Sequence, residues 1–216
     1  MTKHEITHRL LNPGIVAVIR ADSSAQLLDA AKAMAAGGVV AMEVTMTTPD
    51  AIDVIRAVTK ELGDQVLMGV GTVLDEVTAR LAMLAGAEYV VTPVMRPDVI
   101  AVCRRYGKPI ICGAVTPTEM LAAHEAGADF IELFPADTLG PNYIRAIKAP
   151  LPQLQIIPTG GVSVATCGDF IRAGCAAVAA GSTLIGKDVL AKRDWATLTE
   201  TSRQFVAAVA EARKKG

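Results

Sequence analysis

Along this chain, helix-periodic stretches that end in glycine are followed repeatedly by continuous apolar runs. The pattern appears at Gly37 before VVAMEVT, at Gly63 before QVLMGVG and at Gly86 before YVVTP. It returns at Gly107 before PIICGA, at Gly127 before DFIELFP and at Gly174 before AAVAAGS. Glycine suits the left-handed position that ends a helix. The runs are mostly unbroken rather than alternating, which marks strands buried on both faces, as in a parallel sheet. IVAVIR from Ile15 and LQIIPTG from Leu154 bring the strand candidates to eight. Helical stretches separate them, beginning near Ser23, Pro49, Asp75, Pro97, Pro117, Pro141, Ser163 and Asp188. Proline in a first helical turn fits its missing N–H and fixed φ. Strict β–α alternation leaves an open doubly wound sheet or a closed barrel, and eight evenly spaced units predict the barrel. The expectation is one (β/α)8 TIM-barrel domain over residues 1–216, with a short polar helix in front. A last helix from about Trp195 to Lys215 closes the outer ring.

In such barrels the reactive groups gather at the C-terminal ends of the strands. Polar residues fall there: Arg20, Glu43 with Thr45, Gly71-Thr72, Thr92-Pro93, Glu132, Thr159-Gly160-Gly161 and Gly181-Ser182. Two are carboxylates inside apolar runs. Side chains alternate along a strand, so Ala41, Glu43 and Thr45 share one face, as do Phe130, Glu132 and Phe134. The opposite faces, Met42 with Val44 and Ile131 with Leu133, suit packing against helices. Glu43 and Glu132 therefore point into the barrel, where an unpartnered charge is costly. Either they serve a catalytic or ligand-binding role, or they are structural carboxylates paired with Arg20 or backbone. Gly160-Gly161 and Gly181-Ser182 predict a phosphate cradle, because barrels often bind phosphate after strands seven and eight, and glycine lets backbone approach an anion closely.

Composition narrows the picture. With 51% apolar and 20% charged residues, a chain of 216 residues buries a large core without disulfide or metal staples. A formal net charge of -1 without a charge block argues against nucleic acid and membrane-surface partners. No apolar run reaches the roughly 18 residues of a membrane span, and the polar N-terminus lacks a signal-peptide core. Cys103, Cys112, Cys167 and Cys175 have no CxxC spacing and read as reduced, buried thiols of a cytoplasmic protein. His4, His8 and His124 fall on peripheral helices, away from the barrel mouth, so neither a histidine triad nor a metal site is expected. GVGT at Gly69 lacks the spacing of a nucleotide loop. No cofactor is expected.

The ordered set IVAVIRAD, AGGVVAMEVTMTTPDA, GVGTV, VTPVMRPD, GAVTPTE, FIELFPAD, IIPTGGV and AAGS resembles the 2-keto-3-deoxy-6-phosphogluconate (KDPG) and 4-hydroxy-2-oxoglutarate (KHG) aldolases. The resemblance implies a (β/α)8 barrel, a homotrimer, no metal, and cleavage of a keto acid or sugar-acid phosphate to pyruvate and an aldehyde. It implies a lysine that forms a Schiff base with the ketone, the iminium acting as electron sink. By the same resemblance Glu43 matches the general acid/base, and Arg20, Thr72, Pro93, Phe134 and Thr159 match substrate-binding residues. Gly160, Gly161, Gly181 and Ser182 match the phosphate cradle. Thr47 stands where many members carry arginine. The main departure is the family motif Lys-x-Phe-Pro, which reads Glu132-Leu133-Phe134-Pro135 here. A carboxylate does not condense with a ketone, and no other lysine falls on an inward strand position. Three accounts follow: a folded aldolase barrel that is inactive or serves as a scaffold, a Glu43/Glu132 acid–base or metal-assisted keto-acid lyase, or a sugar-phosphate-binding protein.

Overall fold

The structure is a computed structural model and describes residues 1–20 and 24–214. Eight strands run in chain order: β1 (Ile15–Ile19), β2 (Ala41–Thr45), β3 (Leu67–Gly71), β4 (Tyr89–Thr92), β5 (Ile110–Gly113), β6 (Phe130–Leu133), β7 (Ile156–Pro158) and β8 (Val178–Ala180). All pairings are parallel, in the order β7-β6-β5-β4-β3-β2-β1-β8. The Ala176 N–H donates to the Ile156 carbonyl at 2.9 Å and draws the two end strands together. The result is a nearly closed (β/α)8 TIM barrel.

The helices are α1 (Lys3–Leu11), α2 (Ser24–Ala36), α3 (Ala51–Leu62), α4 (Glu76–Ala85), α5 (Pro97–Arg105), α6 (Pro117–Ala126), α7 (Ala136–Lys148), α8 (Val164–Arg172), α9 (Lys187–Lys192) and α10 (Trp195–Lys214). Their ends follow local chemistry. Asp75 caps α4 by accepting from the Thr78 N–H at 2.7 Å, and Thr116 with Glu119 forms a reciprocal capping box on α6. Gly86 and Gly127 end these two helices in the left-handed region, at φ 112° and 102°. The last helix, α10, packs on α8 and α2 and completes the outer ring.

Three expectations need correction. The leading helix is not polar all round: Ile6 and Leu10, four residues apart, are fully buried against the lower barrel interior. The helix expected near Pro141 begins at Ala136, breaks at Gly140 (φ 71°, ψ 174°) and resumes at the proline. The helix expected near Pro49 starts at Ala51, after Asp50 in a left-handed conformation. The expected boundaries at Ser23 and Lys215 lie outside the described residues. No described helix is long and apolar enough to cross a membrane.

Strand alternation divides the core in two. Outward side chains such as Met42, Val44, Met68, Val70, Ile131 and Leu133 pack under the helices. Inward side chains at the lower end, including Val16, Leu67, Tyr89, Ile111, Phe130 and Ile157, fill the barrel and meet α1. One residue-pair further up β2, β3, β5, β6 and β7, the inward positions become polar or vanish into glycine, while Val18 and Val91 keep β1 and β4 apolar.

Candidate active site

On β2, Glu43 follows Ala41 on the inward face, and on β6, Glu132 follows Phe130. Both carboxyls are buried, at 4% and 7% exposure, and neither forms an ion pair with a described residue. They fit because the neighbouring strands carry glycine at the same level. In register, Glu43 lies beside Gly69 and Glu132 beside Gly113. A Cβ at Gly71 would stand 2.3 Å from Glu43 Oε1, so the side chain of Glu43 lies over the bare backbone of β3. A Cβ at Gly113 would stand 2.2 Å from the Pro93 carbonyl carbon, so the bare backbone lets the loop after β4 cross β5.

A small cavity of about 60 Å³ opens between the two carboxyls. Val18, Arg20, Glu43, Thr45, Thr72, Val91, Pro93, Glu132, Phe134 and Thr159 line it. The seven residues named from sequence as catalytic or substrate-binding thus meet in one place. Thr45 and Val91 lie on the same inward faces and were left out of that set; strand alternation alone identifies them. Thr72, directly after β3, has φ 57°. A β-branched residue in the left-handed region is strained by about 1–3 kcal/mol, and such strain concentrates at functional sites. Phe134 stands at the rim, 45% exposed, with its ring against Gly160.

Burial pushes both carboxyls toward the neutral form. Glu43 is raised well above the ordinary carboxylate range, first by desolvation and then by the charge of Glu132, with Arg20 opposing. Glu132 is raised to about 7 by desolvation, with the Thr159 hydroxyl opposing. Near neutral pH the pair therefore holds at least one proton, the deeper Glu43 keeping it while Glu132 titrates. No described strand carries a lysine, and none lines this cavity. Among the described residues, no group of three or more His, Cys, Asp or Glu is placed to hold a metal ion.

The two glycine turns do come side by side, because the Thr183 hydroxyl donates to the Val162 carbonyl and ties the loops after β7 and β8 together. Gly160 and Gly161 have φ 93° and 68°, which glycine adopts freely. The Gly160 carbonyl accepts from the Asp137 N–H at the start of α7, at 3.2 Å. Asp137 Oδ2 would lie 2.6 Å from a Cβ on Gly161, so an acidic side chain flanks this turn. Gly160, Gly161, Gly181 and Ser182 do not line the cavity between the carboxyls.

A second cavity, of about 410 Å³, lies beside the first and shares Arg20 with it. Gln26, Thr47, Thr48, Pro49, Lys187, Leu190 and Ala191 complete its lining. These residues come from α2, the loop after β2, and α9, and only the folded chain brings them together.

Comparison with known proteins places this geometry. A family model described as KDPG and KHG aldolase matches residues 6–201. A 2-dehydro-3-deoxy-phosphogluconate aldolase from Pseudomonas aeruginosa is 33% identical over 201 residues, covering 93% of this chain and 91% of that protein. A solved native KDPGal structure superposes with TM-score 0.85 at 31% identity, over 93% of this chain and 96% of that one. A subunit of a cube-shaped, porous protein cage designed by fusing symmetric oligomeric domains superposes with TM-score 0.86, also at 31% identity, over 94% of this chain and 74% of that one. With the family model spanning most of its length, the chain belongs to the KDPG and KHG aldolase family.

Proposed function

We propose that this chain acts on the keto acids of its family as a carbon–carbon lyase that uses a buried carboxyl pair, Glu43 and Glu132, and forms no Schiff base. The observation that carries the reading is the placement of two buried carboxyls that hold at least one proton between them, and no amine, around one small cavity. A protonated carboxylic acid in an apolar site donates a hydrogen bond to a carbonyl oxygen and so stabilises an enol, as an iminium would more strongly. The charge of Glu132 helps Glu43 keep its proton, and the Thr159 hydroxyl helps Glu132 lose its own, so Glu43 takes the role of acid and Glu132 that of base.

The Glu132 carboxylate takes the proton of the substrate C4 hydroxyl. The C3–C4 bond breaks, and its electron pair forms the C2–C3 double bond. The C2 carbonyl oxygen takes the Glu43 proton, giving enolpyruvate, and the aldehyde leaves. Glu132 then delivers its proton to C3, and the enol O–H returns its proton to Glu43. Arg20, at the mouth of the cavity, is the cation that holds the keto-acid carboxylate, and Thr72, Thr159, Pro93 and Phe134 shape the pocket. Turnover is slow compared with an iminium route, because a neutral acid is a weaker electron sink than a cationic nitrogen.

The substrates named for the relatives, 2-dehydro-3-deoxy-phosphogluconate and its shorter KHG counterpart, suit this chemistry. The same reading includes a cytoplasmic setting, which the four free, buried cysteines support, and a homotrimer, by likeness to the family.

The test is pyruvate in D₂O. NMR is expected to show deuterium entering the methyl group, and Glu43→Gln and Glu132→Gln are each expected to stop it. Borohydride with pyruvate is expected to leave the intact mass unchanged. A trapped adduct overturns the acid–base reading by revealing a recruited lysine. Pyruvate binding without exchange leaves a binding protein for keto acids.

A further inference from the structure

The outer face of α1 carries a metal-binding spacing that the keto-acid chemistry does not use. Residues 4–8 read His4-Glu5-Ile6-Thr7-His8, and all five lie within the helix. Histidines four apart on a helix stand one turn from each other, with Cβ atoms roughly 5–6 Å apart. Two imidazoles so placed can close on one ion, at ~2.0–2.1 Å from each ligating nitrogen. Both side chains are exposed, and both line one open cavity of about 500 Å³ with Met1, Glu5, Arg9 and Asp64. No hydrogen bond to a described residue occupies either imidazole. Distance from the barrel mouth excludes this pair from the keto-acid reaction, not from holding a metal.

The helix beneath the pair is fixed. Ile6 and Leu10, on its opposite face, are fully buried against the lower barrel interior. Thr2 and Glu5 close a capping box at its start. Arg9 Nη2 donates to the Asp64 carbonyl at 2.8 Å and ties the helix to the turn Gly63–Gln65. The two imidazoles are therefore held at one-turn spacing before any ion arrives, which lowers the ordering cost of binding. The charged side chains around them are Glu5 and Asp64 against Arg9, a balance that favours a cation.

Ligand chemistry narrows the ion. Imidazole suits zinc, nickel and copper, whereas magnesium and calcium take oxygen ligands. The same spacing serves metalloproteases, where the glutamate acts as general base. Here Glu5 Oε2 accepts from the Thr2 N–H at 2.7 Å, and that bond holds its pKa below the ordinary value. Among the described residues no third His, Cys, Asp or Glu joins the pair to complete a metal centre. The arrangement binds and does not hydrolyse.

We propose that His4 and His8 form a binding site for one divalent transition-metal ion, such as zinc or nickel, with water completing its coordination. The bound ion clamps α1, the helix that closes the lower end of the barrel.

The test is calorimetric titration of the untagged full chain with nickel chloride and zinc chloride. One saturable site per chain is expected, and magnesium chloride is expected to give none. The chain has three histidines, so His124→Ala on α6 is the control and is expected to bind unchanged. His4→Ala and His8→Ala each remove an exposed side chain, and each is expected to weaken nickel binding at least about tenfold. Glu5→Gln keeps a capping-box partner and is expected to retain binding. Nickel is expected to raise the Tm of the unmodified chain and of His124→Ala, and not of the other two histidine variants. Absence of saturable binding overturns the proposal, as does binding that survives either His4→Ala or His8→Ala. Loss of binding in Glu5→Gln overturns the two-imidazole assignment by making the carboxylate a ligand.

Discussion

The lower and upper halves of the barrel interior are built by the same strands and behave as different materials. Below, Val16, Leu67, Tyr89, Ile111, Phe130 and Ile157 interlock, and Ile6 and Leu10 of α1 cover them. Above, two residues further along the strands, stand Glu43, Gly69, Gly113, Glu132 and Thr159. The lower half fills space, and the upper half keeps it. An alternation of two residues along a strand is enough to move from core to site, so the site inherits the rigidity of the layer beneath it. Each carboxyl stands directly above an apolar anchor on its own strand, Ala41 under Glu43 and Phe130 under Glu132.

The largest expected effect converts the upper half to amine chemistry. Glu132→Lys puts a primary amine where the resemblance to the family expects one, among Phe134, Thr159 and Glu43. Desolvation lowers the pKa of such an amine and favours the nucleophile, and a carboxylate at Glu43 works against that shift. The expected outcome is a borohydride-trapped pyruvate adduct in intact mass and a rise of at least about 100-fold in KDPG cleavage. An adduct missing in the variant means that the upper half has diverged beyond one residue.

The lower half is expected to answer to volume and not to chemistry. Phe130→Ala removes a buried ring, 2% exposed, and is expected to cost about 3–5 kcal/mol in denaturant unfolding. A variant that remains folded is expected to bind pyruvate within a few-fold of the unmodified chain. A small stability loss with a large loss of binding would mean that the two halves are not separable.

The carboxyls of the upper half give the chain a pH dependence that the lower half lacks. The folded-state pKa of Glu132, about 7, lies above its ordinary value of 4.5. A carboxyl raised in the folded state contributes stability that is full below pH 4.5 and is lost as pH rises through 7. The loss at Glu132 is at most about 3.5 kcal/mol, since each pKa unit corresponds to ~1.4 kcal/mol. Chemical denaturation between pH 5 and 8 is expected to show stability falling, and Glu132→Gln to reduce that slope, the remainder coming from Glu43, whose pKa is raised as well. Deuterium exchange into pyruvate is expected to run the other way, rising as Glu132 ionises and falling only where Glu43 loses its own proton. An exchange rate that declines steadily from pH 5 upward reverses the assigned roles.

Much of this division is readable in the amino-acid order. Parallel strands buried on both faces leave continuous apolar runs, and a charged residue inside such a run is conspicuous, which is why Glu43 and Glu132 could be placed inward. Glycine before six of the eight runs marked the helix ends. What escaped the sequence depends on neighbours that are distant in the chain. Ile6 and Leu10 are two apolar residues on an otherwise polar helix, and only the open lower end of the barrel makes them a plug. Gly71 reads as part of a turn until the pairing of β2 with β3 puts Glu43 across it. The outer cavity needs Gln26, Thr47 and Lys187 side by side, and no local pattern joins positions so far apart. The break at Gly140 hid the first turn of α7, because the following proline is the stronger local signal.

The smallest effect tests the boundary between the halves at Tyr89. Its ring fills the gap left by Gly69, where a Cβ would stand 2.4 Å from the ring carbon that bears the hydroxyl. Gly69 is the register partner of both Glu43 and Tyr89, so the Tyr89 ring lies where the two halves meet. That hydroxyl is buried with no hydrogen-bond partner among the described residues. Burial, and then the charge of Glu43, raise its pKa well above the ordinary value. A buried, unpaired hydroxyl costs about 1–3 kcal/mol, and deleting it leaves only a small gap. Tyr89→Phe is therefore expected to stabilise the chain by ~1 kcal/mol, a rise in Tm of roughly 2–4 °C for a domain of this size. Thermal unfolding at pH 6, where most of the Glu132 population is protonated, keeps the carboxyl pair from obscuring so small a change. A loss of stability instead would show that the hydroxyl has a partner in solution, either a trapped water or Glu43 itself. A Glu43 titration, followed by carbon NMR in both proteins, separates the two: it moves only if the hydroxyl was donating to that carboxyl.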